Sequence, residues 1–239
     1  MEKNNGYLAH MSNLYSKRSY KSKCDYIKYN FSKIIASVNP KKDSVLDVGP
    51  GFGELVEVLQ KKKINKIEIL DNDVHVIKHI TNKFGISNAH YSENISKDKS
   101  LLKSYKAIFM LQVLEHIPRD IFKKFVKTLY DHLDKDGVLV AMVPNGANPF
   151  SLIERYGDLQ HEQLFTKSSL IELDTYCNLD NCSITVLPYN IPPSNLINFV
   201  RIFFQKIFHF LLYLCLLVNG GNIQRIMTPN IYVVLKKNS

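Results

Sequence analysis

Hydrophobic residues fall in short blocks along this chain, and their period changes at Pro40. Before it, Tyr26, Ile27, Phe31, Ile34 and Ile35 offer one apolar face, which predicts a mostly helical segment over residues 1–39. After it, brief apolar runs alternate with amphipathic stretches. SVLDVG (44–49), KIEILD (66–71), AHYSEN (89–94), YKAIFMLQV (105–113) and GVLVAMVP (137–144) read as strands. ELVEVLQKK, DVHVIKHITNKFG (ending at Gly85) and residues 119–133 read as the helices between them. That alternation predicts an α/β fold, a mostly parallel sheet with helices on both faces. Right-handed crossovers then bring the strand ends, and a ligand, to one edge.

The alternation breaks after Pro144. Residues 145–166 are polar and loop-like, Ser168 to Cys177 reads as a helix with Thr166 as its N-cap, and SITVLPY (183–189) and NIYVVLKK (230–237) complete seven strands. Between those two strands lies an insertion, residues 190–229, containing NLINFVRIFFQKIFHFLLYLCLLVNGG. Its apolar run from Ile207 to Val218 is interrupted only by His209, and falls short of the roughly 20 residues that cross a bilayer. A cap over the substrate, a homodimer helix or an interfacial helix carrying Arg201 and Lys206 are the expected roles, with residues 196–218 as the contact. The expected organisation is a helical segment 1–39, then one domain over 40–239.

Composition narrows the class. With 239 residues, 45% hydrophobic and 22% charged, the chain can bury a sizeable core, and disorder is excluded. The net charge of +9 would suit nucleic acid, anionic lipid or a phosphorylated small molecule. The lysines are scattered rather than gathered in a stripe, so charge alone does not point to nucleic acid. Cys24, Cys177, Cys182 and Cys215 have no C-x-x-C spacing, which predicts reduced thiols and no zinc framework. The first twenty residues hold no long apolar run, so no secretory signal is expected. The expected location is cytoplasmic, or peripheral at the inner face of the membrane.

The densest chemistry lies in VLDVGPGFGELVEVL (45–59), where Gly49, Gly51 and Gly53 follow a strand and precede a helix. Such a turn lets backbone N–H groups approach a ligand closely. Asp47, two residues before the first glycine, is out of place in an anion site and suits a ligand bearing a positive charge or amine. Asp71 ends the second strand about twenty residues after the loop, where a carboxylate accepts hydrogen bonds from a ribose diol. These features fit a nucleoside cofactor without excluding a dinucleotide.

DVGPGFG closely resembles motif I of the class I S-adenosylmethionine-dependent methyltransferases. LQVLEHI (111–117) resembles that family's fourth-strand segment, and LDKDGVLVAMVPN (133–145) its following helix end and fifth strand. The likeness covers roughly residues 40–189 and the last strand. It implies a Rossmann-like fold and S-adenosyl-L-methionine as cofactor. Asp47, Gly49 and Gly51 would hold the methionyl end, and Asp71 the ribose hydroxyls. Asn72 would border the adenosine, and Asn94 and Ile95 would lie by the adenine ring, with Asn94 where the family often has Asp. Gln112 would line the cofactor or acceptor.

Glu115 and His116 follow the fourth strand, beside the expected methyl group. One reading is structural, a capped turn and a packed ring. A minority of the family use E-x-x-E-H in a divalent metal site, but here Gln112 replaces the first carboxylate, and a neutral amide is the poorer ligand. No metal is therefore expected, and a metal would need His161 as a further ligand.

PNGANPFSLIERYGDLQHEQLFTKSSL (144–170) leaves the fifth strand at the ligand edge. It resembles a segment of methyltransferases from bacterial surface-polysaccharide gene clusters, whose members look like enzymes that methylate sugar hydroxyls. A neutral hydroxyl is a poor nucleophile, so a base within hydrogen-bond reach is useful, and histidine titrates near neutral pH. His161 is the expected base, oriented by Asp158 or Glu162, with Glu115 and His116 nearby. Asn145 and Asn148 would hold acceptor hydroxyls, Arg155 a phosphate or carboxylate, and Tyr156 a wall of the pocket. The expected acceptor is a small molecule or glycan precursor. A lipid-linked or quinone-like acceptor is the alternative. No D/N-P-P-Y/F motif follows the fourth strand, which argues against methylation of nucleic-acid amino groups.

Overall fold

Near-continuous burial along the central parallel strands builds the centre of the molecule. In the computed structural model, which describes residues 16–220 and 225–238 apart from the side chains of Glu154 and Arg155, the parallel strands are β1 (Val45–Val48), β2 (Ile67–Asp71), β3 (Asn88–Tyr91), β4 (Tyr105–Leu111) and β5 (Leu133–Pro144). β6 (Cys182–Pro188) and β7 (Asn230–Lys237) complete a seven-stranded sheet ordered β3-β2-β1-β4-β5-β7-β6. β7 runs antiparallel to both β5 and β6. The α/β, Rossmann-like class expected from the sequence is the one observed.

Alternate strand residues feed two cores. Leu46, Ile108, Leu139 and Val233 pack on one face, with Phe122, Val126 and Leu129 of α5 (Arg119–Asp131). Val45, Ile69, Phe109 and Val140 point the other way, toward α3 (Glu54–Lys61) and α4 (Val74–Phe84). Both faces are apolar because parallel strands are covered on both sides.

The N-terminal helices join that second core. Cys24, Ile27 and Phe31 of α1 (Lys17–Asn30) and its C-cap, with Ile35 of α2 (Ser32–Ser37), are buried in it, and the Phe31 ring meets those of Phe109 and Tyr232 at 5.7 and 5.0 Å. Residues 1–15 of the expected helical segment lie outside the described residues.

Three short helices follow β5, namely α6 (Leu152–Tyr156), α7 (Lys167–Ile171) and α8 (Leu173–Cys177). The single helix expected over Ser168–Cys177 is thus divided at Glu172. Thr166 caps α7 as expected, in a capping box with Ser169.

The long insertion forms α9 (Leu196–Val218), a continuous helix of 23 residues capped by the Asn195 side chain. Its bounds are those of the expected contact, residues 196–218, of which the apolar run covers only Ile207 to Val218. The helix starts eleven residues earlier because Arg201, Gln205 and Lys206 are good helix formers that do not interrupt it. Among the described residues it is the one helix long and apolar enough to cross a membrane, by length and composition.

Candidate active site

Strand order reverses between β1 and β4, and a ligand crevice opens at the carboxyl ends of strands on either side of such a point. Here it holds a cavity of about 1530 Å³, lined by Asp47, Gly49, Gly51, Asp71, Asn72, Ile95, Gln112, His116, Asp158 and His161 among others. Ten of the twelve site residues expected from the sequence therefore share one space. Glu115 and Asn94 do not line it.

The loop after β1 is shaped to let something come close. Gly49 and Gly51 take φ +68° and +53°, a region L side chains avoid. A Cβ on Gly49 would stand 2.5 Å from Val113 Cγ2, whereas one on Gly51 would meet nothing within 4 Å. The first glycine is required by packing. The second leaves an open cradle.

Asp47 is only 1% exposed, and its Oδ2 has no hydrogen-bond partner. Burial, reinforced by the nearby Asp71 carboxylate, pushes its pKa up to about 8. Asp71 is raised to about 6, chiefly by burial, although its Oδ1 accepts the Asp73 N–H at 2.7 Å. A buried carboxyl that is mostly protonated at neutral pH, beside a half-buried one raised to about 6, forms a site that gains from a bound cation or from hydroxyl donors.

Asn94 serves the chain instead. Its Oδ1 accepts the Ser96 N–H at 3.1 Å, closing a turn. Beside it Ser92, Glu93 and Ile95 face the cavity. Gln112 ends β4 at φ +60°, an uncommon conformation for a residue other than glycine, and its Nε2 donates to Asn230 Oδ1 at 3.1 Å. The strained backbone turns the chain from the strand into the Leu114–His116 turn.

That turn is where residues 145–166 dock. The loop is closed at its stem by the Asn145–Phe165 bridge and by Gly146 N–H donating to the Phe165 carbonyl at 2.7 Å. Its far arm is fixed by Glu162 and Gln163, whose N–H groups donate to the Glu115 carbonyl at 2.9 and 3.3 Å. Gln163 Nε2 adds a bond to the Ile117 carbonyl at 3.2 Å. His161 is thereby laid against His116, with ring centroids 4.7 Å apart. His116 Nδ1 donates to the Gln160 carbonyl at 3.3 Å, which leaves Nε2 as the acceptor of the neutral ring. Burial, then the neighbouring His161, lower the His116 pKa below its ordinary value.

Glu115 is fully buried, and its ligand atoms lie with those of His116 and His161 within 4.8 Å of one another. One carboxylate and two imidazoles are a donor set that could hold a divalent cation. Asp158 lines the cavity, and its Oδ1 accepts the Gln160 N–H at 2.8 Å.

Two residues expected at the acceptor lie outside the main cavity. Asn145 is 0% exposed, and its amide is used on backbone, donating to the carbonyls of Ile226 and Thr228 at 3.0 and 2.9 Å and accepting from Ala147 N–H at 3.1 Å. Asn148 Oδ1 accepts from Phe150 N–H at 2.9 Å and lies away from the main cavity. An Asn-rich loop reads as polar contacts, but short amides satisfy their own turns first. Tyr156 is exposed and does not line the cavity, and the Arg155 side chain lies outside the described residues.

Sequence reasoning missed one wall. Arg18, Ser19, Lys23 and Tyr26 of α1, with Tyr189, Arg201 and Gln205, complete the cavity. The polar residues of α1 that flank Ile27, Lys23 one turn before it and Ser19 two turns before it, were the available signal.

A large cavity at the β1–β4 switch point, a glycine cradle and two carboxylates on a β3-β2-β1-β4-β5-β7-β6 sheet define a class I S-adenosylmethionine-dependent methyltransferase. The family model described as "Methyltransferase domain" matches residues 14–181, and the chain belongs to that family. Its fold is similar to that of a SAM-dependent methyltransferase from Archaeoglobus fulgidus, with TM-score 0.64 and 18% identity over 98% of this chain and 100% of that one. The plantazolicin methyltransferase BamL, solved with a triazolic desmethylPZN analog and SAH, gives TM-score 0.63 and 17% identity over 98% and 92% of the two chains. A methyltransferase from Clostridium acetobutylicum gives 0.61 and 15% over 98% and 100%. No curated protein matches.

The chain is thus an enzyme, and S-adenosyl-L-methionine is its cofactor. The residues present fit that group. The orphaned, buried Asp47 Oδ2 suits a cationic donor, and the space at Gly51 admits it.

Proposed function

We propose that this enzyme transfers a methyl group to a hydroxyl of a sugar, a nucleotide-linked sugar or a surface-glycan precursor in the cytoplasm, with His161 as general base. The bound cofactor supplies an activated methyl on its sulfonium. Asp47, Gly49 and Gly51 hold its methionyl end, Asp71 its ribose hydroxyls, and Asn72 and Ile95 border the adenosine. Gln112 lines the boundary with the acceptor. His161 would take the proton of the acceptor hydroxyl, while Asp158 and His116 set its surroundings.

The observation that carries this reading is the docking of His161 against His116 at the cavity wall, 4.7 Å between rings, by a loop pinned to the Glu115 carbonyl. A positioned base contributes about 10²–10⁴-fold to a rate. The test is a screen of nucleotide sugars and glycan fragments with labelled donor. Label in a sugar, lost in His161→Ala, supports the reading. Label entering only a membrane-lipid extract overturns it.

A second reading has an observation of its own. Arg201 and Gln205 of the exposed apolar helix α9 line the same cavity, which favours a lipid-linked or quinone-like acceptor at the membrane surface.

A further inference from the structure

Helix α9 is less exposed along one narrow stripe. Asn198 is buried, and Ile202, Gln205, His209, Leu212 and Leu216 are partly covered, at spacings of three and four that mark one side of a helix. In heptad terms they fill two of seven positions. Phe199, Phe203, Phe204, Ile207 and Phe208 fall on the other five, and every one is exposed, between 43% and 62%.

That distribution discriminates between occupants. A partner protein or second copy packs against a seam of about two heptad positions and leaves the rest to water, which needs polar residues there. Here exposed apolar residues stand in every outward sector, joined in two of them by Lys206 and Arg201. Only a medium that is itself apolar and surrounds the helix satisfies all five positions. The helix contains no acidic residue, while its first half carries Arg201 and Lys206 on a chain of net charge +9. Basic side chains beside an apolar surface match anionic headgroups.

The same helix borders the catalytic space. Arg201 and Gln205 line the main cavity and also a second one of about 510 Å³, walled by Phe150, Phe204, Phe208 and Met227. The apolar surface therefore continues into the site.

We infer that α9 seats this enzyme on an anionic lipid bilayer, with its outward sectors among the acyl chains, Arg201 and Lys206 at the headgroups, and the Arg201–Gln205 side of the cavity against the membrane. Docking does not depend on which acceptor is methylated, so it stands or falls apart from the sugar reading.

The test is flotation of the full-length chain with vesicles of phosphatidylcholine alone or with phosphatidylglycerol. Variants are Phe203→Asp with Leu211→Asp, and Lys206→Glu. These positions do not line the main cavity, so calorimetric affinity for S-adenosylhomocysteine serves as the folding control. The expected result is flotation with the anionic vesicles, reduced at least tenfold in the double variant and several-fold in Lys206→Glu, with cofactor affinity unchanged. Absence of flotation overturns the inference. So does flotation undiminished in the double variant, which would mark adsorption by overall charge. A dimer of the parent chain that becomes monomeric in the double variant, without vesicle binding, would assign the helix to a protein interface.

Discussion

The imidazoles of His116 and His161 lie 4.7 Å apart and are inclined by 60°. One belongs to the turn after β4, the other to the loop after β5, and the Glu115 carbonyl joins their backbones through Glu162 and Gln163. The pair separates two roles by mutation. His161→Ala is expected to lower kcat by 10²-fold or more while leaving cofactor affinity within a few-fold. His116→Ala, which removes a neighbour rather than the base, is expected to cost less and to shift the acid limb of the pH–rate profile. Labelled methyl transfer and calorimetry measure both. Loss of cofactor affinity in His161→Ala would show that the loop supports the pocket rather than the chemistry.

Glu115, His116 and His161 also bear on metal dependence. Their ligand atoms cluster within 4.8 Å, but the fourth-strand segment offers Gln112 where a second carboxylate would strengthen a cation site. With His161 as base, turnover after EDTA treatment is expected to equal that of untreated enzyme. Activity lost to EDTA and restored by one divalent cation would assign the three side chains as ligands instead.

Asp47 makes cofactor binding a proton-linked event. Its pKa of about 8, against an ordinary value of 3.8, means that it is mostly protonated at neutral pH without ligand. A cationic donor favours the carboxylate, so binding expels the proton. Affinity should then rise with pH up to about 8 and level off above, with a further gain through the Asp71 titration near 6. The sign for stability is opposite. A carboxyl whose folded pKa is raised stabilises the ligand-free protein below the unfolded value, and that contribution is lost as pH climbs through 8. Calorimetry at pH 7 in buffers of different ionisation enthalpy should report release of close to one proton, and Asp47→Asn should abolish it.

The sheet and the donor site were legible in the sequence because both depend on short-range pattern. Short continuous apolar runs specify strands buried on both faces, and a glycine loop after one of them specifies a cradle. Asn94 and Asn145 misled because an amide's own turn is invisible to composition. Nor does spacing show that α1 closes the pocket, since Arg18 and Lys23 are brought to the cavity by packing of Ile27 and Phe31 on a core formed far along the chain. The extent of α9 was legible as residues 196–218, although its apolar run alone covers little more than half of it. Arg201, Gln205 and Lys206 break an apolar count without breaking a helix.

Two glycines of the donor loop offer a final comparison. Gly49 and Gly51 share positive φ, so alanine at either position costs about 1–2 kcal/mol in backbone conformation. At Gly49 the new methyl also enters contact with Val113 Cγ2 at 2.5 Å, so Gly49→Ala should lose stability beyond that figure, seen as a larger fall in Tm. At Gly51 no atom lies within 4 Å, and the methyl occupies the space through which the donor approaches the loop. Gly51→Ala should therefore fold with only a few degrees lost, yet bind S-adenosylhomocysteine at least tenfold more weakly. Equal affinity in Gly51→Ala and the parent would place the donor elsewhere in the cavity and remove Gly51 from the site.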